Sequence, residues 1–342
     1  MWHITLYLQL GIRRLEVSLC SGRQTQWEKP KVQFNAIRKV EFPWSYDVHR
    51  DCTAGAFDHI QGAFKHFFRR VKAGGEALGY PKFKKKGLAK DSFYIANDKF
   101  SLNEKQIRIP KLGWVKMRET LRFTGKIMSA TVSRTADKWF VAIAVDTEVA
   151  SQPPKTKGAV GVDLGISTLA TMSDGRKVQH SSKREKLEKQ VKRLQKSVSR
   201  KQRGSASRYK AVVKLARKHH ELTNLRNDLL HKLTTGLVQD YETIVIEDLN
   251  VKGMVKNHHL ARSISRQAWG EFRLQIEYKS QIHSRTLLIA NRFYPSSKTC
   301  SDCNFVNKKV ILGVESWVCP SCGVVHDRDF NAAINLSKLG GG

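Results

Sequence analysis

Two cysteine pairs constrain this chain more than any other feature: Cys300-x2-Cys303 and Cys319-x2-Cys322, separated by the fifteen residues 304–318. A CxxC turn brings two sulfurs to one point. Two such turns joined by a hairpin supply the closed tetrahedral thiolate set that structural Zn²⁺ prefers. A module that small buries too little to fold alone, so the metal supplies its stability. The pairs run directly into HDRDFNAAINLSKL, where Asp327 and Asp329 stand at the start of a predicted helix with Asn331 and Asn335 one turn apart. A carboxylate there suits the helix dipole, and capping is the plain reading of either aspartate. The remaining cysteines, Cys20 and Cys52, are isolated and read as ordinary buried thiols. The opening MWHITLYLQLGIRRLE lacks a cationic leader and a small-residue cleavage site, so a reducing, cytoplasmic setting is expected.

The knuckle belongs to a strongly basic chain, with 61 Lys+Arg against 30 Asp+Glu and a net charge of +31 over 342 residues. Such a surface recruits polyanions and is driven onto them by counterion release. No run of about 18 apolar residues spans a membrane, and no amphipathic anchor stands out, so nucleic acid is the expected partner.

The length allows two or three domains. Residues 1–80 read as helical, with Phe57, Ile60, Phe64, Phe67, Phe68 and Val71 forming one face of a helix over 57–71. Residues 81–150 read as a small β domain with segments at Ser92–Ala96 and Gln106–Ile109, and a hairpin of Ile127–Ser133 with Trp139–Val145 across Thr135–Lys138. Within GYPKFKKKG, Lys82, Lys84, Lys85 and Lys86 surround Phe83 like a phosphate patch around a stacking ring. SQPPKTK (151–157) reads as a linker. Residues 183–235 then read as a helical hairpin with Leu187, Val191, Leu194 and Val198 on one stripe and Leu222, Leu225, Leu229 and Leu233 on the other. Its outer face is crowded with cations, among them Lys192, Arg193, Lys196 and Arg200, as a polyanion groove would be. A further helix is expected over 265–279 with Ser265 as its cap, followed by a strand over Leu287–Ala290 and Phe293.

Asp163 lies in an apolar strand, AVGVDLG, where a carboxylate is costly unless paired or bound to metal. Gly161 and Gly165 beside it leave room for a backbone or ligand. Glu247 ends a second apolar strand, TIVIE. Three carboxylates, Asp163, Glu247 and Asp329, repel one another unless cations neutralise them, and hard oxygen ligands of this kind select Mg²⁺ or Mn²⁺. Two such ions can activate water and stabilise a departing oxygen at phosphorus.

The motifs AFKHFFRRVK, GYPKFKKKG, GVDLGISTLAT, VIEDLNVKGM, FYPSSKTCSDC and WVCPSCGVVHDRDFNAAINL, in that order, resemble the TnpB family of transposon-encoded, RNA-guided DNA endonucleases, relatives of type V CRISPR effectors. The resemblance runs from about Phe57 to the end of the chain. It implies an α/β fold: an RNase H-like RuvC nuclease domain over 155–342, with helical and zinc-ribbon insertions (183–235 and 296–326), preceded by a wedge β-barrel and a helical recognition lobe. It implies that Asp163, Glu247 and Asp329 are the acidic set, that Asp327 is not, and that Cys300, Cys303, Cys319 and Cys322 hold Zn²⁺. A guide RNA from the transposon end and target double-stranded DNA are the implied partners. Relative to the family pattern the chain starts within the early helical lead-in, so a shortened recognition lobe and a barrel lacking one strand are expected.

Three function classes follow. A Mg²⁺-dependent, RNA-guided DNA endonuclease accounts for the complete carboxylate set. A regulatory nucleic-acid-binding protein that no longer cuts accounts for the shortened start. An ATP-dependent, kinase-like enzyme built on the DxG turn fits neither the charge nor the cysteines.

Overall fold

The computed structural model describes residues 28–74, 79–81, 91–147, 156–311 and 313–341. The expectations placed on the first 27 residues, Cys20 and the early helix among them, and on Lys82, Phe83, Lys84, Lys85 and Lys86 lie outside the described residues. The chain divides into two units, residues 1–148 and 149–342.

The first unit opens with helix α1 (Glu28–Glu41) and a short 3-10 turn (Pro43–Tyr46), followed by helix α2 (Arg50–Lys72). The His49 ring caps α2 by accepting from the Asp51 amide, so the helix starts seven residues before the aromatic stripe that predicts it. The stripe is less buried than its periodicity implies. Phe64 is buried, but Phe68 and Val71 remain 45% and 48% exposed, because the small core beneath α2 takes Phe57 and Ile60 with Phe34 and Phe42 instead. Cys52, on α2, is half-buried, and desolvation together with Asp51 pushes its thiol up to about 11.

Six strands follow: β1 (Ser92–Ala96), β2 (Ser101–Asn103), β3 (Gln106–Ile109), β4 (Gly113–Lys116), β5 (Lys126–Thr135) and β6 (Lys138–Asp146). They form two antiparallel sheets, β1-β5-β6 and β2-β3-β4. The expected hairpin is β5–β6, closed at Thr135↔Lys138 with Ala136 at φ 56°. Ile95, Ala130 and Val132 of one sheet share a core with Ile107 and Ile109 of the other.

The second unit is built on a five-stranded sheet of β7 (Lys157–Asp163), β8 (Ala170–Met172), β9 (Lys177–Val178), β10 (Tyr241–Glu247) and β11 (Thr286–Ala290), in the order β11-β10-β7-β8-β9. Strands β11, β10 and β7 run parallel, β8 runs antiparallel to β7, and β9 runs antiparallel to β8. Between β9 and β10 the chain makes the basic hairpin of α3 (Ser182–Ser199) and α4 (Ala206–Asp240). Gly204 at φ 85° turns the chain, and the Ser205 hydroxyl caps α4 by accepting from the Arg208 amide.

Helices α5 (Val251–Met254), α6 (Ala261–Gln267) and α7 (Trp269–Ile282) separate β10 from β11. The single helix expected from Ser265 is thus two. Ser265 sits inside α6, and the break falls at Ala268, held left-handed at φ 54°. Gln267 makes the break worthwhile by donating to the Ile166 carbonyl from its buried side chain. Phe293 is not part of β11; it follows the strand and is 86% exposed. One sheet face packs Val160, Val162, Ile244 and Ile246 against Leu230, Leu237, Phe272 and Ile276 of α4 and α7. The knuckle strands β12 (Ser316–Val318) and β13 (Val325–Asp327) then lead into α8 (Arg328–Leu339), which covers the other face. Among the described residues, no helix is long and apolar enough to cross a membrane.

Candidate active site

Strand parity decides where the carboxylates go. Successive side chains alternate between sheet faces, so the core-facing Val160 and Val162 place Gly161 and Asp163 on the opposite face, beneath α8. In β10, Ile244 and Ile246 likewise place Val245 and Glu247 on the α8 face, where Val245 packs against Leu336. The two strands are parallel neighbours in register, Ile246 beside Val162, so Glu247 and Asp163 emerge side by side at the same sheet end.

Helix α8 brings the third carboxylate. It lies so close on β7 that a Cβ on Gly161 would stand 2.0 Å from the Ala333 carbonyl oxygen and 2.5 Å from the Ser337 nitrogen. The room that Gly161 provides is therefore filled by helix backbone. Seated there, α8 directs Asp329 over the turn after β7, with its Oδ2 3.8 Å from where a Gly165 Cβ would be. Burial, then Glu247 and then Asp329, push the Asp163 carboxyl well above the usual range. The three carboxylates do not draw together as tightly as the cysteine sulfurs, whose four ligand atoms all lie within 4.8 Å of one another.

The neighbouring acids are engaged elsewhere. Asp327 caps α8, its Oδ1 accepting from the Phe330 amide at 2.9 Å, while its Oδ2 meets Lys177 Nζ at 2.7 Å. Partial burial works to raise the Asp327 pKa, but the Lys177 ammonium and the Phe330 amide hold it below the usual range. Asp248, next to Glu247, is gripped by Arg273 at 2.9 Å and Arg292 at 2.5 Å, and those bonds lower its pKa.

Sequence reasoning missed the residues that hold this arrangement in place. Ser296 Oγ donates to Glu247 Oε1 at 2.6 Å. The buried Asn331 and Asn335 amides donate to the Thr299 carbonyl at 2.7 and 2.6 Å, and Asn335 also donates to the Ser296 carbonyl at 2.8 Å. One turn of α8 thus clamps the segment that carries both Ser296 and the first knuckle. The i, i+4 spacing of two asparagines was the available signal, since buried amides must find partners.

In the knuckle itself, Cys300 and Cys322 sulfurs lie 3.6 Å apart, as do those of Cys303 and Cys319. Asn304 and Gly323, each directly after the second cysteine of its pair, both turn left-handed, at φ 62° and 76°. The two turns are therefore built alike. His326, buried against Trp317, places Nε2 3.0 Å from the Cys300 sulfur. This donor set fits a structural Zn²⁺, with four soft thiolates converging and no position left for water.

Lys192, Arg193, Lys196 and Arg200 are exposed on α3 and its end, while Leu187 and Val191 of the same helix are buried. These cations therefore lie on the solvent side of α3.

Two family models match the chain: one described as "Probable transposase" over residues 142–258, and one described as "Cas12f1-like, TNB domain" over residues 269–336. A Streptomyces pristinaespiralis protein provisionally named an RNA-guided DNA endonuclease is 35% identical, over 96% of this chain and 78% of its own length. The similarly named InsQ of Escherichia coli (strain K12) is 32% identical, over 88% of this chain and 77% of its own. The Cas12f1 chain solved with single guide RNA and target DNA superposes with a TM-score of 0.54 at 13% identity, covering 98% of this chain and 80% of that one, which is a likeness of fold. Similarity of that extent and identity to these relatives is a family relationship: the chain belongs to the TnpB family of RNA-guided DNA endonucleases.

Proposed function

We propose that this chain is an RNA-guided, Mg²⁺-dependent DNA endonuclease whose nuclease centre is Asp163, Glu247 and Asp329. The observation that carries the reading is their convergence from three distant segments onto one face and end of the sheet. The donor set suits a divalent ion: three hard oxygen ligands, one with its proton affinity raised by burial and then by the other two, are a set that a hard cation stabilises. Asp163, Glu247 and Asp329 would hold Mg²⁺ or Mn²⁺, which would supply charge neutralisation, activation of water and stabilisation of the departing oxygen at phosphorus. The protein's own part is positioning. Ser296 orients Glu247, α8 presents Asp329, and Lys177 pairs with Asp327.

The strand order and the parallel-to-antiparallel switch support an RNase H-like RuvC domain over 155–342, with the hairpin (183–235) and zinc ribbon (296–326) as its insertions. The two sheets after residue 90 support a wedge domain over 81–150, and the helices before it a recognition lobe over 1–80. Guide RNA and target DNA are the partners, as the relatives' names suggest; on this reading the guide comes from the transposon end, the target is double-stranded, and Lys82, Lys84, Lys85, Lys86, Lys192, Arg193, Lys196 and Arg200 are backbone contacts. The place of work is then the cytoplasm, at the nucleoid.

The test is to purify the protein with its co-expressed flanking transcript and to assay matched DNA with Mg²⁺ beside Asp163→Ala. Cleavage by wild type alone is expected. Equal inertness of both with RNA bound would instead leave a regulatory nucleic-acid-binding protein.

A further inference from the structure

A cavity of about 270 Å³ opens at the root of the helical hairpin, between α3, α4 and α6, and shares no lining residue with the carboxylate centre. Four guanidinium groups line it, from Arg184, Arg226, Arg262 and Arg266, with His219 beside them and Glu188 as the one carboxylate. Glu188 Oε1 accepts from Arg184 Nε at 3.1 Å and from Arg266 Nε at 2.9 Å, which offsets one charge of the four. Arg184 also donates to the Arg266 carbonyl at 2.5 Å. That leaves Arg184 Nη1 and Arg226 Nε buried without a hydrogen-bond partner, although the Arg184 side chain is only 7% exposed. Buried charged donors are costly when unpaired and are rarely left so. Converging guanidinium forks match the paired oxygens of a carboxylate or a phosphate, and on a chain of net charge +31 the anion in supply is the phosphate of a nucleic acid.

We propose that this cavity is a noncatalytic phosphate pocket that clamps one backbone phosphate of the polynucleotide the protein carries. The proposal rests on the nucleic-acid partners of the preceding reading but not on its chemistry. Burial, then Arg266 and then Arg226, lower the Arg184 pKa to about 10, a strain that an anion in the cavity relieves. The pocket also has a mechanical link to the turn after Asp163: Gln267, the last residue of α6, donates to the Ile166 carbonyl in that turn. A strand anchored here is held by the helix that braces the carboxylate site.

Fluorescence anisotropy on the full chain, with single-stranded RNA and duplex DNA probes titrated across KCl, reads the pocket through its salt dependence. Arg226→Gln and Arg262→Gln are expected to weaken one probe roughly tenfold and to lower its salt slope by about one. Lys232→Gln removes a surface charge already paired with Asp228 and keeps the wild-type slope. The responding probe identifies the strand. Arg262 is exposed, so its variant keeps the test decisive if the loss of Arg226 loosens the fold. Unchanged slopes with both probes, or an equal loss with Lys232→Gln, overturn the pocket. Asp163→Ala keeps the two readings apart. If the arginine variants cut DNA with unaltered slopes, the pocket alone fails; if the slope depends on the pocket but wild type cuts no better than Asp163→Ala, the nuclease reading alone fails.

Discussion

At the scale of single residues, Asp163 sets chemistry against stability. In the unfolded chain an aspartate ionises near pH ~3.9; in the fold, burial, Glu247 and Asp329 keep the Asp163 proton on to higher pH. Across that window the folded state binds the proton more tightly. Stability is therefore lost as pH rises through it, and the full penalty remains above the folded pKa. Without divalent ions, Asp163→Asn is expected to raise the unfolding midpoint at pH 7 and to abolish cleavage, and added Mg²⁺ should stabilise only the wild type. A less stable Asn variant in chelator would contradict the account. Ser296 acts one step further out. Removing its hydroxyl leaves Glu247 less firmly oriented, so Ser296→Ala is expected to raise the Mg²⁺ concentration for half-maximal cleavage by about tenfold or more. The two residues differ in how readable they are from their neighbours. Asp163 stands out as a charge in an apolar strand, whereas Ser296 is one serine among several.

At the scale of elements, the contact between β7 and α8 sets the geometry. A methyl group on Gly161 would meet backbone atoms of α8, which have no rotamer to move aside. Gly161→Ala is therefore expected to cost about 1–3 kcal/mol by overpacking and to shift Asp329, lowering both the denaturation midpoint and the cleavage rate. Wild-type stability in that variant would mean that α8 does not pack against Gly161. The elements themselves were largely legible, since β1, β3, the β5–β6 hairpin and the α3–α4 pair all follow from periodicity and turn chemistry. The break at Ala268 was not. The left-handed residue is an alanine, and the contact made beside it joins Gln267 to a turn 101 residues away in sequence.

At the scale of the whole second unit, the knuckle and the carboxylates are joined mechanically. Segment 296–301 is held by Asn331 and Asn335 at one end and by the cysteine turns at the other, and it carries the hydroxyl that contacts Glu247. Metal analysis should find about one zinc per chain. Cys319→Ser should lose it and, by releasing that segment, weaken cleavage as well as fold; full activity in a zinc-free protein would break the link. The sequence by itself marked the cysteine set that can hold a metal, the acidic residues proposed for the nuclease centre and most of the helices and strands. These depend on spacing along the chain, and neighbours a few residues apart report it faithfully. Only the tertiary structure decided that Gly161 makes room for a helix and not for a ligand. It alone separated Asp327 and Asp248 from Asp329 and Glu247, and gathered Arg184, Arg226, Arg262 and Arg266 around one cavity. Each of these depends on which face a side chain takes and on what distant segment packs there, and one strand's parity or one helix's seat sets that for every residue it carries.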